Sequence, residues 1–320
     1  MFLARREQGS VEARTLWAGL REMARPIATR PFRIWHVRRN NEMFWGLIAR
    51  DVLRLRVKLV FTSAAIRRHS WYPRQLIDRM DSVIATSDRA AACLGNARVT
   101  AIVPHGVDIE RFELSDQQDG PVPENPWAAY ATCLGIIGRV RPEKGTDLFV
   151  EALCKTLPEC PDACAIIAGK VTASYRAFAQ SLKDRLEQSG ISDRVFFLDE
   201  VSSEQMPHLY QQLDIVCAPA RYEGFGLVPI EAMVSGTAVI ASRTGAYEAM
   251  VDEGRTGFLV ELESPDQVAE AINKLIGNPA LLDRLKQAGC NKVRQEFSLQ
   301  TEVAGMSAVY EGLWSDVEKD

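Results

Sequence analysis

The sequence predicts an α/β protein of two doubly wound, Rossmann-like domains. Three observations carry that prediction. From about residue 33, short β-branched or apolar runs alternate strictly with amphipathic stretches, the pattern of parallel strands joined by crossover helices. A polar, proline-rich stretch at 115–128 (SDQQDGPVPENPWA) interrupts the alternation, which then resumes, as at the start of a second unit. The 320 residues also suit two domains of ~150 residues. With 47% apolar and 25% charged residues, composition excludes disorder, collagen and coiled coil. A chain this long buries a core without disulfide or metal staples.

The elements follow in order. The first 30 residues hold one helical stretch, 11–24, and no strand before it, so the first domain is expected to lack its opening strand. RIWHV (33–37) reads as a strand. Residues 41–56 read as a helix, with Phe44, Leu47, Ile48, Val52 and Leu55 on one face. KLVFTS (58–63) is a strand, and 72–80 a helix with Pro73 early in it. SVIATS (82–87) is a strand, a helix runs to about Leu94, and VTAIVP (99–104) is the next strand. After the break come a strand at 132–139, a helix at 146–156, a strand at 164–169 and a long amphipathic helix to about Gln188. Strands at 194–199 and 214–220 bracket a helix at 204–213. A helix at 227–236 is closed by Gly236. Strands at 237–242 and 256–261 and three helical stretches finish the chain. The two domains divide as 1–108 and 109–297. Their ligand is expected in the cleft at the carboxyl ends of the strands.

The formal net charge of −4 hides an asymmetry. Residues 1–112 carry 20 Lys+Arg against 10 Asp+Glu, a charge of +10, and the remainder carries 18 against 32, a charge of −14. The basic third is arginine apart from Lys58. Such a surface favours phosphate, nucleic acid or membrane headgroups as a partner, or is a solvated face. No run reaches the ~18–20 apolar residues of a membrane span. The start, MFLARREQGS, carries charge where a signal peptide needs an apolar stretch. Seven scattered cysteines read as reduced residues of a cytosolic protein.

Two loops carry chemistry. Gly138-Arg139-Val140-Arg141-Pro142-Glu143-Lys144-Gly145 follows a buried strand and opens a helix. Arg139 offers a planar fork and Lys144 a point charge, together suited to a diphosphate; a solvated basic turn is the bland alternative. Glu223-Gly224-Phe225-Gly226-Leu227-Val228-Pro229-Ile230-Glu231 also joins a strand to a helix. Its glycines let backbone N–H groups approach a ligand, and the helix start offers orphan donors to an anion. Glu223 is free to reach a sugar hydroxyl, and Glu231 to accept from a ribose diol. The alternative is an ordinary connection with Glu231 facing solvent.

The two loops in this order resemble the family 4 glycosyltransferases of the GT-B fold, which carry a G-R-x4-K-G loop and a Glu-x7-Glu motif with an embedded G-F-G. Pro104-His105-Gly106-Val107-Asp108 resembles the family's hinge segment. Thr244-Gly-Ala246 with Glu248, and Gly254-Arg-Thr-Gly257-Phe-Leu-Val260, resemble its closing segment. The resemblance covers about 33–320. It implies that Gly138, Arg139 and Lys144 hold the donor diphosphate and Glu231 the ribose. It implies that Glu223 and the backbone of Gly224, Phe225, Gly226 and Leu227 hold the donor sugar and distal phosphate, and that Glu223, Arg139 and Lys144 serve catalysis. It also implies that a helix at about 298–320 packs back on the first domain.

The first domain is similar to bacterial lipopolysaccharide core mannosyltransferases in IWHVRRNNEM (34–43) and in LVFTSAA (59–65) followed by Arg67-Arg68-His69. That similarity implies a donor of GDP-mannose and a lipid-linked or lipopolysaccharide core acceptor. His36, Arg38, Arg39 and His69 are its acceptor-side candidates. Two departures stand out. The usual opening strand with its Gly-rich loop is not found before Pro31. Ser63, Ala64 and Ala65 occupy the place where many relatives have a histidine. The chain also contains no Asp-x-Asp, no G-x-G-x-x-G after its first strand, no G-x-S-x-G and no P-loop.

The expectation is therefore a retaining, metal-independent hexosyltransferase. Its co-substrate is a nucleotide sugar, with no cofactor and no nucleic-acid partner. It is expected to be cytoplasmic, held peripherally on the anionic inner face of the membrane. The competing expectations are a UDP-sugar-dependent glucosyl- or galactosyltransferase, and a truncated, non-catalytic nucleotide-sugar binder.

Overall fold

A computed structural model of the chain describes residues 4–7, 10–13, 21, 23, 25, 30–95, 97–113 and 125–315. The chain forms two compact units. One comprises Met1–Pro104 with Glu302–Asp320, the other His105–Thr301.

The first unit is built on a four-stranded parallel sheet, β3 (Arg33–Val37), β4 (Val57–Ser63), β5 (Ser82–Ala85) and β6 (Val99–Ile102), paired in chain order. Side chains alternate across a strand, and here the alternation assigns each face its cover. Trp35, Val37, Leu59, Phe61, Val83 and Ala85 point to one face. There they pack on the crossover helices α1 (Asn40–Leu47), α2 (Trp71–Ile77) and α3 (Asp88–Cys93) through Met43, Leu47, Leu76, Ile77 and Ala90. Val60, Ile84 and Val103 face the other way, against Val309 of the final helix. A π-turn at Ile48–Val52 ends α1, short of the helix expected to residue 56.

One expectation is corrected here. Two strands do precede residue 31: β1 (Ala4–Glu7) and β2 (Ser10–Ala13) pair antiparallel, with Glu7 opposite Ser10. They form a sheet of their own and do not join the parallel one. The expected helix at 11–24 therefore gives way to strand at 11–13; residues 21 and 23 are helical, and most of the rest lies outside the described residues.

The second unit is a six-stranded parallel sheet. In chain order its strands are β7 (Thr132–Ile137), β8 (Ala163–Ala168), β9 (Val195–Leu198), β10 (Ile215–Ala218), β11 (Ala238–Ser242) and β12 (Phe258–Val260). They pair as β12-β11-β10-β7-β8-β9. β7, β8, β10 and β11 are almost wholly buried, which is why they read as continuous apolar runs without alternation. The chain moves outward from β7 through β8 and β9, then returns to β10 on the other side of β7. That reversal makes the carboxyl ends of β7 and β10 a topological switch point, where open α/β sheets bind ligands.

Helices α4 (Ile109–Phe112), α5 (Thr146–Thr156), α6 (Arg176–Gln188), α7 (Met206–Gln211), α8 (Val228–Val234) and α9 (Tyr247–Met250) belong to this unit. So do α10 (Pro265–Ile276) and α11 (Pro279–Glu296), whereas α12 (Leu299–Ser315) passes from the second unit into the first at Glu302. The polar stretch expected as a loop at 115–128 lies outside the described residues up to Glu124. Among the described residues no helix is long and apolar enough to cross a membrane.

Candidate active site

The two loops singled out in the sequence leave the carboxyl ends of β7 and β10, so the switch point brings them together. The first turns sharply. Pro142–Lys144 forms a 3-10 turn, with the N–H of Gly145 donating to the Pro142 carbonyl. Gly145 has φ +70°, and a Cβ there would lie 2.0 Å from the Pro219 carbonyl oxygen. No other residue lets this loop close on the end of β10. The turn aims Lys144 backward over Gly138, where an added Cβ would lie 3.6 Å from the Lys144 Cε. Lys144 Nζ ends on the Glu223 carboxylate, 79 positions further along the chain. Both side chains are about four-fifths shielded, at 21% and 18% exposed. Arg139 stands exposed just past the strand.

The second loop holds Glu223 from several sides. Its Oε1 accepts from the N–H of Gly224 at 3.2 Å. Gly226 has φ +70°, and a Cβ there would sit 2.5 Å from the Glu223 Cγ and 2.8 Å from the Tyr247 ring. Gly226 therefore makes room for Glu223 as well as for any ligand. Phe225 is buried edge-on to His105, with centroids 4.9 Å apart, and Leu227 is exposed.

Glu231 lies one turn into α8. It is half-buried, and its Oε2 accepts from the Tyr210 hydroxyl at 2.8 Å. Burial pushes the Glu231 carboxyl above the usual carboxylate range, opposed by the Tyr210 hydrogen bond and the charge of Arg111. Tyr210 is fully buried, and its own phenol is raised by burial and by Glu231. The hydrogen bond occupies one carboxyl oxygen and leaves Oε1 as the second acceptor.

Three residues of this arrangement were missed in the sequence. Arg221 forks onto Asp147 at 2.7 and 2.8 Å, reaches the Pro142 carbonyl at 2.5 Å and contacts Glu263 at 2.5 Å. It therefore ties the two loops together two residues before Glu223. A charged residue between a buried strand and a Gly-rich turn was the available signal. Tyr210 and Tyr247 gave no signal, because their partners lie 21 residues away for Tyr210 and in another loop for Tyr247.

The first-unit candidates do not form one cluster. His36 projects toward α12. Its Nδ1 is hydrogen-bonded to the Tyr310 hydroxyl at 2.5 Å and its Nε2 to Thr62 Oγ1 at 2.6 Å. Burial, and secondarily Arg38, lowers its pKa to about 4, so at neutral pH the ring is uncharged with both nitrogens engaged. His69 is half-buried beside Phe61 on the opposite face of the sheet, its Nε2 3.3 Å from Ser63 Oγ. Burial and then Arg67 lower its pKa. Arg38 and Arg39 are exposed past the end of β3, where the Arg38 N–H donates to Glu42 Oε2 at 2.8 Å.

Known proteins resemble this chain over most of its length. The family model for glycosyl transferases group 1 matches residues 126–292, which lie within the second unit. A lipopolysaccharide core biosynthesis mannosyltransferase, LpcC of Rhizobium leguminosarum bv. viciae, is 41% identical over 300 residues, 94% of this chain and 84% of that protein. LpsB of Rhizobium meliloti (strain 1021), which carries the same description, is 37% identical over 286 residues, 89% of this chain and 80% of its own. The crystal structure of Anabaena Alr3699/HepE in complex with UDP superposes with a TM-score of 0.79 at 22% identity, covering 88% of this chain and 79% of that one. At that identity the likeness shows a common fold.

Proposed function

We propose that this chain, which belongs to the group 1 glycosyl transferases, moves mannose from GDP-mannose onto a lipopolysaccharide core acceptor, retaining the anomeric configuration and using no metal ion. The observation that carries the reading is the meeting of Lys144 with Glu223 at the switch point. One cation suited to a diphosphate and one carboxylate suited to sugar hydroxyls occupy one place. The mannosyl donor and core acceptor are supported by the two relatives above.

The chemistry follows from these groups. The bond from the sugar C1 to the distal phosphate breaks, and the nucleoside diphosphate leaves with added negative charge. Arg139 and Lys144 neutralise that charge, which lowers the barrier without a strong base. The acceptor hydroxyl attacks C1 from the side the phosphate leaves, and its proton passes to the departing phosphate oxygen. Glu223 holds the sugar hydroxyls and Glu231 the ribose diol. In the first unit, Arg38, Arg39 and His69 are available to an anionic acceptor. The acceptor's lipid anchor and the basic surface of that unit support peripheral attachment to a membrane.

The test is a donor screen on purified protein with delipidated core oligosaccharide. GDP released from GDP-mannose only when acceptor is present, with the anomeric configuration read by NMR and the rate indifferent to chelator, supports the reading. Release from UDP-glucose or UDP-galactose instead would replace the donor. Binding of nucleotide sugar without transfer to any acceptor would leave a binding protein.

A further inference from the structure

Tyr247 opens α9 with its ring buried, at 1% exposed. Buried phenols ordinarily find a hydrogen-bond partner, and Tyr210, the other fully buried one of this unit, donates to Glu231. Among the described residues the Tyr247 hydroxyl has no such partner. Nor is its oxygen sealed off: the buried side-chain atoms left unpaired among the described residues include Thr86 Oγ1 and Trp127 Nε1 but not this hydroxyl. The little surface that Tyr247 exposes therefore includes its polar tip.

Three contacts decide where that tip lies. Ser242 Oγ donates to the Ala220 carbonyl at 2.5 Å, fastening the end of β11 to the chain leaving β10. Gly245, at φ +57°, lets the turn before α9 ride on the second loop. A Cβ there would lie 2.1 Å from the Glu223 carbonyl oxygen and 2.5 Å from that of Gly224. The Tyr247 N–H then donates to the Thr244 carbonyl at 3.1 Å and closes the turn. The ring comes to rest beside Gly226. A Cβ on that glycine would lie 2.9 Å from Tyr247 Oη and 2.5 Å from Glu223 Cγ. The hydroxyl and the Glu223 side chain are thus neighbours across a residue that has no side chain.

In the structure Glu223 is turned elsewhere, Oε2 to Lys144 and Oε1 to the Gly224 N–H. A diphosphate that claims Lys144 leaves Oε2 without its partner in a place about four-fifths shielded from water, where an unpaired carboxylate is costly. The nearby phenol is suited to fill the gap. Burial, then the charges of Glu223 and Glu231, raises its pKa, so it keeps its proton and remains a donor.

We propose that Tyr247 is a positioning residue for Glu223: its hydroxyl takes over the carboxylate when a diphosphate takes Lys144, and holds it toward the sugar. The inference rests on the reading of Lys144 as a diphosphate ligand. The proton stays on the phenol throughout, and the Glu223 side chain moves by rotation about its own bonds.

The test is a double-mutant cycle on the full chain, read by calorimetric titration of GDP and of UDP, neither of which carries a sugar. Tyr247→Phe keeps the ring and removes only the hydroxyl. It should weaken binding of the nucleoside diphosphate about 5- to 30-fold, the loss of a partly screened hydrogen bond to a charged acceptor. In a Glu223→Gln background, and separately in a Lys144→Met background, the same substitution should weaken binding less than about twofold. The first background has no carboxylate to take over, and in the second the carboxylate is not displaced. An equal loss in all three backgrounds would give the hydroxyl a merely structural role, and no loss in the wild-type background would remove it from the exchange; either overturns the proposal alone. A wild-type chain that binds neither nucleotide overturns the diphosphate reading and this inference with it. The expected cycle, together with transfer from no donor, overturns the enzymatic reading and leaves the role of Tyr247 in place.

Discussion

Lys144 pairs with Glu223 in the structure, so under the proposed function donor binding would be an exchange of ions, in which the diphosphate takes Lys144 and releases Glu223 to the sugar. Glu223→Gln should therefore raise affinity for a nucleoside diphosphate that carries no sugar. A charge-assisted hydrogen bond is worth ~1.5–3 kcal/mol. With each partner about one-fifth exposed, solvent screening reduces that to ~1–2 kcal/mol. The diphosphate no longer has to displace the carboxylate, so its dissociation constant should fall about 5- to 30-fold. Transfer should fall at the same time, because the sugar loses its carboxylate contact. Calorimetric titration of GDP and UDP into wild type and Glu223→Gln measures the gain. The same titration in a Lys144→Met background supplies the control. A gain that persists in full without Lys144 would reduce the effect to simple repulsion between Glu223 and phosphate, and unchanged or weaker binding by Glu223→Gln would refute the exchange outright.

Three further outcomes are expected. Arg139→Ala and Lys144→Ala should each weaken nucleotide-sugar binding about 10- to 100-fold, each removing a charged contact of ~1.5–3 kcal/mol; unchanged affinity in both would sink the diphosphate assignment. Tyr210→Phe should raise the donor KM about five- to tenfold at nearly constant kcat, since the loss of one buried hydrogen bond frees the Glu231 carboxyl to turn from the ribose. It should also shrink the penalty of a deoxyribose donor, which a merely structural role would not touch. His36 titrates at about 4 in the folded chain and at 6.5 unfolded. Between those values the unfolded chain binds a proton that the folded one refuses, so stability should fall by up to about 3 kcal/mol as pH drops from 6.5 to 4 and flatten below. Urea unfolding of wild type and His36→Gln across that range checks the sign, and a wild-type slope no steeper than the variant's would count against it.

The parallel strands were legible because burial on both faces makes a strand a short, continuous apolar run, as in Ala163–Ala168. Helix α5 was legible from end to end, because its apolar spacing and the glycine before it are local signals. The pairing of 4–7 with 10–13 was not, since a four-residue strand carries too few positions to contradict a helical pattern that overlaps it. His36 illustrates a different limit. It was an acceptor-side candidate, but its ring is taken by Tyr310, 274 positions away.

By itself the sequence determined the fold class, the family and the two loops whose residues stand consecutively, because strand burial and turn chemistry act over a few positions. The asymmetry of charge between the ends of the chain was equally plain there. Only the tertiary structure decided that Lys144 meets Glu223, that Tyr210 holds Glu231 and that Arg221 binds the loops together. The physical reason is strand order. The reversal that sets β7 beside β10 is a choice among sheet topologies made by the packing of the whole unit, and local residue patterns do not record which strands become neighbours.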